Sequence, residues 1–541
     1  MKRVLDDLLP CLILAFATSF MLFIYEPIIM YSNNINDFWF DLSILYKNSV
    51  HLFLLLFFVI FFSYFLFYFI DKKIFKNKKI YNILLIIGYI IFISIYIEGN
   101  YMAGFLPPLD GTSIVWKNFI KESIISIAIL IIVSTLIFIL YKKYNSKMIG
   151  YLKYIGLAIF IMISSSLLTT LLTTNALKSK EYAVTSTIKN INTYSENENF
   201  IIFLLDAVDS RTFYKVLNTN DEYKDIFNDF TYYPDTMSTY PFTRDSIPFI
   251  LSGVWNNNED EFKDYYVKSM NKSPLLKNLY DEKYDVNIYD TDILYNSKNA
   301  EKIKNLSFSS DYDEMKFKRQ ELKYVLFKYL PFYLKKYSKI DTLNFNGTKL
   351  SIDGVFDLSD TTFNSEYMND FKTSKNNQFK FIHLEGAHVP FNLDKDLNRI
   401  SGGTYDQKVE SNIVLTGKFL SYLKKNNVYD NSNIIVMADH GYNMLEAIGR
   451  QNPILFIKGK NEKHNLKISD KAISYDDLQS AYSDLLDHEK SINLFSDISS
   501  KRSRRYLFYY YGKEDNMIEY IQKEKAWDTN AMEKTGKEFN R

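Results

Sequence analysis

The chain has 541 residues, a formal net charge of +1 and a single cysteine, Cys11. Near-neutral charge without a basic excess excludes nucleic acid as the expected partner. One cysteine, set in an apolar run, excludes a disulfide scaffold and leaves the rest of the chain without a thiol nucleophile or thiolate metal ligand. The length allows more than one domain, and the apolar residues crowd into the first third.

Five apolar runs are long enough to cross a bilayer, which takes about 20 helical residues: Leu8–Tyr31, Leu52–Ile70, Ile80–Ile97, Ile124–Tyr141 and Ile155–Leu172. The first lacks a small-residue cleavage site and reads as an anchor, with Pro27 near its end. Lys2 and Arg3 precede it. Lys72, Lys73, Lys76, Lys78 and Lys79 follow the second run, and Lys142, Lys143 and Lys147 follow the fourth. The other two loops, 32–50 and 98–118, carry only Lys47 and Lys117. This bias predicts a multi-pass protein of the cell membrane with a cytoplasmic N-terminus and an extracytoplasmic C-terminal domain. Loop 98–118, with Glu98, Asn100, Pro107, Pro108 and Asp110, is either part of a lipid-facing site or a simple connector.

The expected organisation is a transmembrane domain over 1–175, a helical linker over 176–198 and an extracytoplasmic domain over 199–541. Strand candidates in the last part are Phe200–Leu205, Val286–Tyr289, Phe379–Leu384, Ile434–Ala438 and Ile454–Ile457. Val409, Ile413, Leu420 and Leu423 form a stripe at helical spacing between two of them. Alternating strands and helices predict an α/β fold with a mainly parallel sheet covered on both faces. Phe317–Tyr337, rich in Lys, Leu, Phe and Tyr, is expected to pack on its own domain; an amphipathic helix on the membrane surface is the alternative.

The chemistry gathers at predicted strand ends. Asp439-His440-Gly441 follows the strand Ile434–Ala438, and Asp206 follows Phe200–Leu205. Carboxylates and an imidazole at the C-terminal edge of such a sheet are suited to a divalent metal; Asp206 and Asp439 are equally suited to cap helices. Thr239-Tyr-Pro-Phe-Thr243-Arg-Asp-Ser246 leads into an apolar run ending at Gly253, so a hydroxyl stands at a helix entry. There it either caps the helix or, beside a metal, acts as a nucleophile toward phosphate. His383-Leu-Glu-Gly-Ala-His388 leaves a strand into a glycine loop. Three of the six histidines, His383, His388 and His440, thus lie at strand ends.

Five spans followed by these motifs resemble the membrane-bound branch of the alkaline phosphatase/sulfatase superfamily, which includes phosphoethanolamine transferases and lipoteichoic acid synthases. The resemblance implies that Asp206, Thr243, Asp439 and His440 hold a divalent Zn or Mn ion. It makes Thr243 the catalytic nucleophile, with Thr239 as its rival, and assigns substrate binding to His388 and His383. Arg450 and Asn452, in the run before the next strand, are further substrate-binding candidates. The implied activity transfers a phosphoryl-linked head group from a membrane phospholipid donor to an envelope glycan or lipid acceptor through a phospho-threonine. A metal-dependent hydrolase and a non-catalytic lipid-binding member of the fold are the alternatives. A monomer is expected. The chain departs from the phosphoethanolamine transferases in carrying Asp rather than Glu at 206, in lacking a Gly-Thr nucleophile dipeptide and in lacking disulfides; for a disulfide-free domain the lipoteichoic acid synthases are the better precedent. A formylglycine sulfatase would need Cys or Ser in a Cys/Ser-x-Pro-x-Arg motif, which is absent.

Overall fold

The computed structural model describes residues 2–35, 38–74, 78–106, 114–145, 147–178, 183–291, 294–295, 297–308, 311–338, 342–443, 448–487 and 494–541. Pro107, Pro108, Asp110 and Lys76, named above, lie outside the described residues. The chain forms two compact units, Met1–Lys180 with Ser310–Leu350, and Glu181–Ser309 with Ser351–Arg541.

Among the described residues the first unit contains five helices long and apolar enough to cross a membrane: Asp6–Asn33, Leu42–Ile74, Lys79–Phe105, Trp116–Tyr144 and Lys147–Thr173. Leu55, Val59, Phe62 and Leu66 on the second and Ile131, Ile132 and Ile139 on the fourth are exposed. In water such surface would be untenable; in hydrocarbon it is the expected solvent face. The first span is interrupted by a π-helical turn, Met21–Tyr25, and the third ends in another, Glu98–Met102. Directly after the first comes buried Glu26, and the second opens with buried Glu98.

Residues 310–350 group with these helices rather than with the α/β part, which differs from the expectation for Phe317–Tyr337. The helix Glu314–Tyr329 turns Phe317, Val325 and Tyr329 inward. Its polar contacts are equally specific. Glu26 accepts hydrogen bonds from Tyr324 (2.8 Å), Lys328 (2.5 Å) and Tyr329 (3.1 Å). Ser49 donates to Glu321 (2.7 Å), and Trp39 Nε1 donates to the Phe345 carbonyl (2.8 Å). The Tyr329 ring lies where a Cβ on Gly99 would be, 2.2 Å from its Cε1; no larger residue fits there.

The second unit is built on a seven-stranded sheet. Its strands in chain order are β1 (Asn199–Leu205), β2 (Thr231–Tyr232), β3 (Asp285–Tyr289), β4 (Gln378–Leu384), β5 (Ser432–Met437), β6 (Leu455–Lys458) and β7 (Lys467–Ile468), arranged β7-β2-β6-β5-β1-β4-β3. β3, β4, β1 and β5 are parallel; β6 runs antiparallel to β5 and β2, so the sheet is mostly parallel and mixed at one side. β1 is buried along its whole length, as a strand covered on both faces must be. Phe200, Ile202 and Leu204 pack under helices Thr243–Ser252, Phe262–Lys272 and Leu478–Leu486. Ile201, Phe203 and Leu205 pack under Ser210–Leu217 and Tyr405–Lys425. A separate three-stranded antiparallel sheet over Arg504–Phe508, Asn516–Gln522 and Met532–Asn540 closes the chain.

The stretch 176–198 is not the expected helical linker. It carries two short strands, Ala183–Ser186 and Thr193–Ser195, the second parallel to Lys372–Ser374. Its Val, Ile and Thr residues disfavour helix, and Val184, Ile191 and Tyr194 are buried in the second unit's core.

Candidate metal centre

Strand register brings the acidic groups together. Leu204 of β1 pairs with Met437 of β5 in parallel, so Asp206 and Asp439, each two residues farther on, leave adjacent strands at the same level. Asp439 Oδ1 accepts from the backbone N–H groups of Ala207 (3.0 Å) and His440 (2.9 Å), which turns Oδ2 inward. His440 Nδ1 donates to the Gly441 carbonyl (2.6 Å), leaving Nε2 as the free ring nitrogen. That nitrogen lies 3.3 Å from Asp439 Oδ2 and 3.7 Å from Asp206 Oδ1. Ligand atoms of Asp206, Asp439 and His440 all lie within 4.8 Å of one another.

Thr243 completes the group. It is the first residue of its helix and caps nothing. Its Oγ1 sits 3.4 Å from Asp206 Oδ2 and 3.5 Å from His440 Nε2. Asp206 Oδ1 and Asp439 Oδ2 are buried without a hydrogen-bond partner. Two orphaned carboxylate oxygens, an imidazole nitrogen and a hydroxyl converging in a buried site fit a divalent cation of the zinc or manganese kind.

The electrostatics agree with that donor set. Burial alone would raise the Asp206 carboxyl, but the imidazoles of His388, His383 and His440 override it and hold Asp206 below the usual carboxylate range. Asp439 is pushed up by burial and by the charge of Asp206 beside it. Two carboxylates this close repel unless a cation lies between them.

The surrounding residues divide clearly. His383, on β4, is buried, with Nδ1 3.0 Å from Asp290 Oδ1 and Nε2 3.7 Å from Asp206 Oδ2. His388 donates from Nδ1 to the Val389 carbonyl (2.7 Å). Burial would lower its pKa, but the charges of Asp206, Asp439 and Glu385 help to raise it above the ordinary value. Between the two histidines, Gly386 has φ +58°, and a Cβ there would meet the Asp206 backbone nitrogen at 2.3 Å. Only glycine lets this loop lie against the metal strand. Likewise a Cβ on Gly441 would meet the Asn452 carbonyl at 2.9 Å and Asp209 Oδ2 at 3.0 Å.

Arg450 places its guanidinium 4.8 Å from the centre of the Phe242 ring, next to Thr243, with Nε buried and unpartnered. Asn452 is instead committed to the scaffold: its amide donates to the carbonyls of Pro234 (2.9 Å) and Thr236 (2.8 Å). Thr239 is buried, and its hydroxyl makes no hydrogen bond to any member of the metal group. Sequence reasoning missed Asp290, which orients His383. The signal was present, since Asp290 directly follows β3 as Asp206 follows β1. It also missed Asp360, which accepts from the Gly386 N–H (3.1 Å) and pairs with buried Lys408 (3.2 Å), fixing the histidine loop.

The sulfatase family model matches residues 198–487. No curated protein sequence matches the chain. Solved structures similar to it include the C-terminal periplasmic domain of EcEptC from Escherichia coli, at 10% identity and TM-score 0.32, covering 66% of this chain and 96% of that one. An alkaline phosphatase superfamily protein from Vibrio parahaemolyticus matches at 12% identity and TM-score 0.35, covering 66% and 85%. BT1596, a 2-O GAG sulfatase, matches at 11% identity and TM-score 0.36, covering 61% and 84%.

Proposed function

Because this chain belongs to the sulfatase family, we propose that it is a metal-dependent transferase with Thr243 as nucleophile. It moves a phosphoryl-linked head group, of phosphoethanolamine or glycerophosphate type, from a membrane phospholipid to an envelope glycan or lipid. The observation that carries this reading is the position of Thr243 Oγ1, 3.4 Å from Asp206 Oδ2 and 3.5 Å from His440 Nε2. A hydroxyl so placed has a carboxylate oxygen and a free imidazole nitrogen as proton acceptors beside it, which a capping threonine lacks.

A zinc or manganese ion held by Asp206, Asp439, His440 and Thr243 would supply Lewis acidity, lowering the hydroxyl's pKa and offsetting charge on the phosphoryl oxygens. The chain's own residues do the rest. Thr243 releases its proton to the adjacent acceptor and Oγ1 attacks the phosphodiester phosphorus. The Oγ1–P bond forms, the P–O bond to glycerol breaks, and diacylglycerol leaves after its oxygen takes a proton. His388, held partly protonated by the carboxylates around it, is the proton source, and Arg450 steadies the phosphoryl oxygens. In the second half an acceptor hydroxyl attacks phosphorus, the Oγ1–P bond breaks, and the proton released by the acceptor passes to Thr243 Oγ1. With water as acceptor the same site is a hydrolase.

Intact-mass analysis of the purified protein after incubation with membrane lipids and Mn²⁺ or Zn²⁺ tests this. Wild type is expected to carry an adduct whose mass names the donated group, and Thr243→Ala none. An adduct persisting on Thr243→Ala would remove Thr243 from the role. Product release by wild type into water, with no glycan or lipid acceptor modified, would assign hydrolysis.

A further inference from the structure

We infer that the inserted segment 311–338 is a second membrane-contact surface, an interfacial face that gathers anionic phospholipid. The inference is independent of the chemistry at Thr243. Its first support is composition by exposure. At about 100° per residue, Met315, Lys316, Arg319, Leu322, Lys323 and Leu326 occupy one arc of about 120° on the helix Glu314–Tyr329, and all are exposed. Beyond the helix, Tyr333, Lys336 and Tyr337 are exposed as well. Met315 is 73% exposed and Tyr337 76%. Over 312–338 every exposed residue is therefore apolar, aromatic or basic, and none is acidic. Of the acids in the segment only Asp311, its first residue, is exposed; Glu321 is buried, and Glu314 pairs with Lys47 (2.5 Å). Among the described residues no carboxylate lies within ion-pair distance of Arg319, Lys323 or Lys336.

The second support is depth. The opposite face of the helix is fastened to Glu26 at the end of the first span and to Ser49 at the start of the second. The backbone N–H of Phe332 donates to Ser126 near the start of the fourth (3.1 Å). All three lie at the span ends away from the lysine-rich loops, so the segment runs along one rim of the bundle. A rim is where hydrocarbon gives way to headgroups, and apolar side chains flanked by cations are what that boundary stabilises. Lys316 has Asp313 at 4.0 Å; with Arg319, Lys323 and Lys336 left without a counter-charge among the described residues, lipid phosphate is the partner, and lipids with net negative charge are preferred.

The test uses the full chain in vesicles. Leu326→Cys is labelled with an environment-sensitive fluorophore; Lys425→Cys, exposed on the helix Tyr405–Lys425, is the control, and protein with only buried Cys11 reports background. Acyl-brominated phosphatidylcholine should quench the label at 326 but not at 425. Brominated phosphatidylglycerol at the same mole fraction should quench the label at 326 at least about twofold more strongly, since each cation near the surface attracts anionic lipid. Replacing Lys316, Arg319, Lys323 and Lys336 together by Gln should erase that preference and leave the phosphatidylcholine quenching intact. Quenching at 326 no greater than at 425 overturns the proposal. So does a label shielded from both lipid and aqueous iodide, which would mean a protein partner. Equal quenching by the two lipids in the parent overturns the anionic preference.

Discussion

Two buried polar clusters in this molecule look alike in composition and differ in one respect. In the membrane unit, Glu26 is fully buried and both its oxygens are satisfied, by Tyr324, Lys328 and Tyr329. In the α/β unit, Asp206 and Asp439 are buried too, yet each keeps an oxygen with no hydrogen-bond donor. Proteins rarely leave buried carboxylate oxygens unsatisfied, because the desolvation cost falls with nothing to offset it. The first cluster is closed and acts as a fastening. The second is open toward Thr243, and its donor set suits a divalent cation. Glu98 and Glu321 also keep a buried oxygen without a hydrogen-bond partner, but among the described residues only at Asp206 and Asp439 do two such oxygens meet an imidazole nitrogen.

That contrast is broken most severely at Thr243. Thr243→Ala is expected to lower turnover by at least about 10³-fold with the melting temperature nearly unchanged, whereas Thr239→Ala should leave turnover near wild type; steady-state kinetics on both variants decide it. Next comes Glu26→Ala, which strands Lys328 and two tyrosine hydroxyls. It should destabilise the membrane unit by about 3–5 kcal/mol without altering metal content, as read by unfolding in detergent and by elemental analysis. Asp439→Asn should do the reverse. Saturating metal should stabilise wild type by about 2.7 kcal/mol at a hundred times Kd, and this gain should vanish in the variant, whose metal-free form is no less stable than wild type.

The smallest effect concerns Glu321, whose carboxyl burial pushes up to about 8 against the hydrogen bond from Ser49 and the charge of Lys318. Its folded pKa exceeds the ordinary 4.5, so the folded state holds the extra proton between those values and stability falls as pH rises through that window. Glu321→Gln keeps the shape and removes the titration. Its stability relative to wild type should therefore be higher at about pH 9 than at about pH 6, measured by thermal unfolding at both. A pH-independent difference would show Glu321 charged in the fold.

The fold and the metal group were legible in the sequence for a common reason. Continuous apolar runs mark β1 and β5, and parallel pairing fixes which residues follow both strands at one level, so Asp206 and Asp439 could be matched from linear position alone. Thr243 was legible as a helix start, but its choice over Thr239 required the direction of the hydroxyl, which no spacing encodes. Asn452 shows the same limit: spacing does not encode that its amide donates to the carbonyls of Pro234 and Thr236 while its Oδ1 is left without a hydrogen-bond partner. The inserted segment was misjudged because amphipathic periodicity reports that a face is buried and not which unit buries it; only Glu26, almost three hundred residues earlier, answers that.

Within the α/β unit, the chain on both sides of the 310–350 insertion converges on one residue: Thr187 donates its backbone N–H to the Asn305 carbonyl (2.9 Å) and bridges Val355. Excision of the insertion and closure with a few glycines would therefore ask little of loop entropy, which grows only slowly with length. A fragment beginning near residue 183 and keeping the insertion would instead expose Phe317, Val325 and Tyr329 to water. Whoever wants the catalytic half alone must remove its middle as well as its beginning.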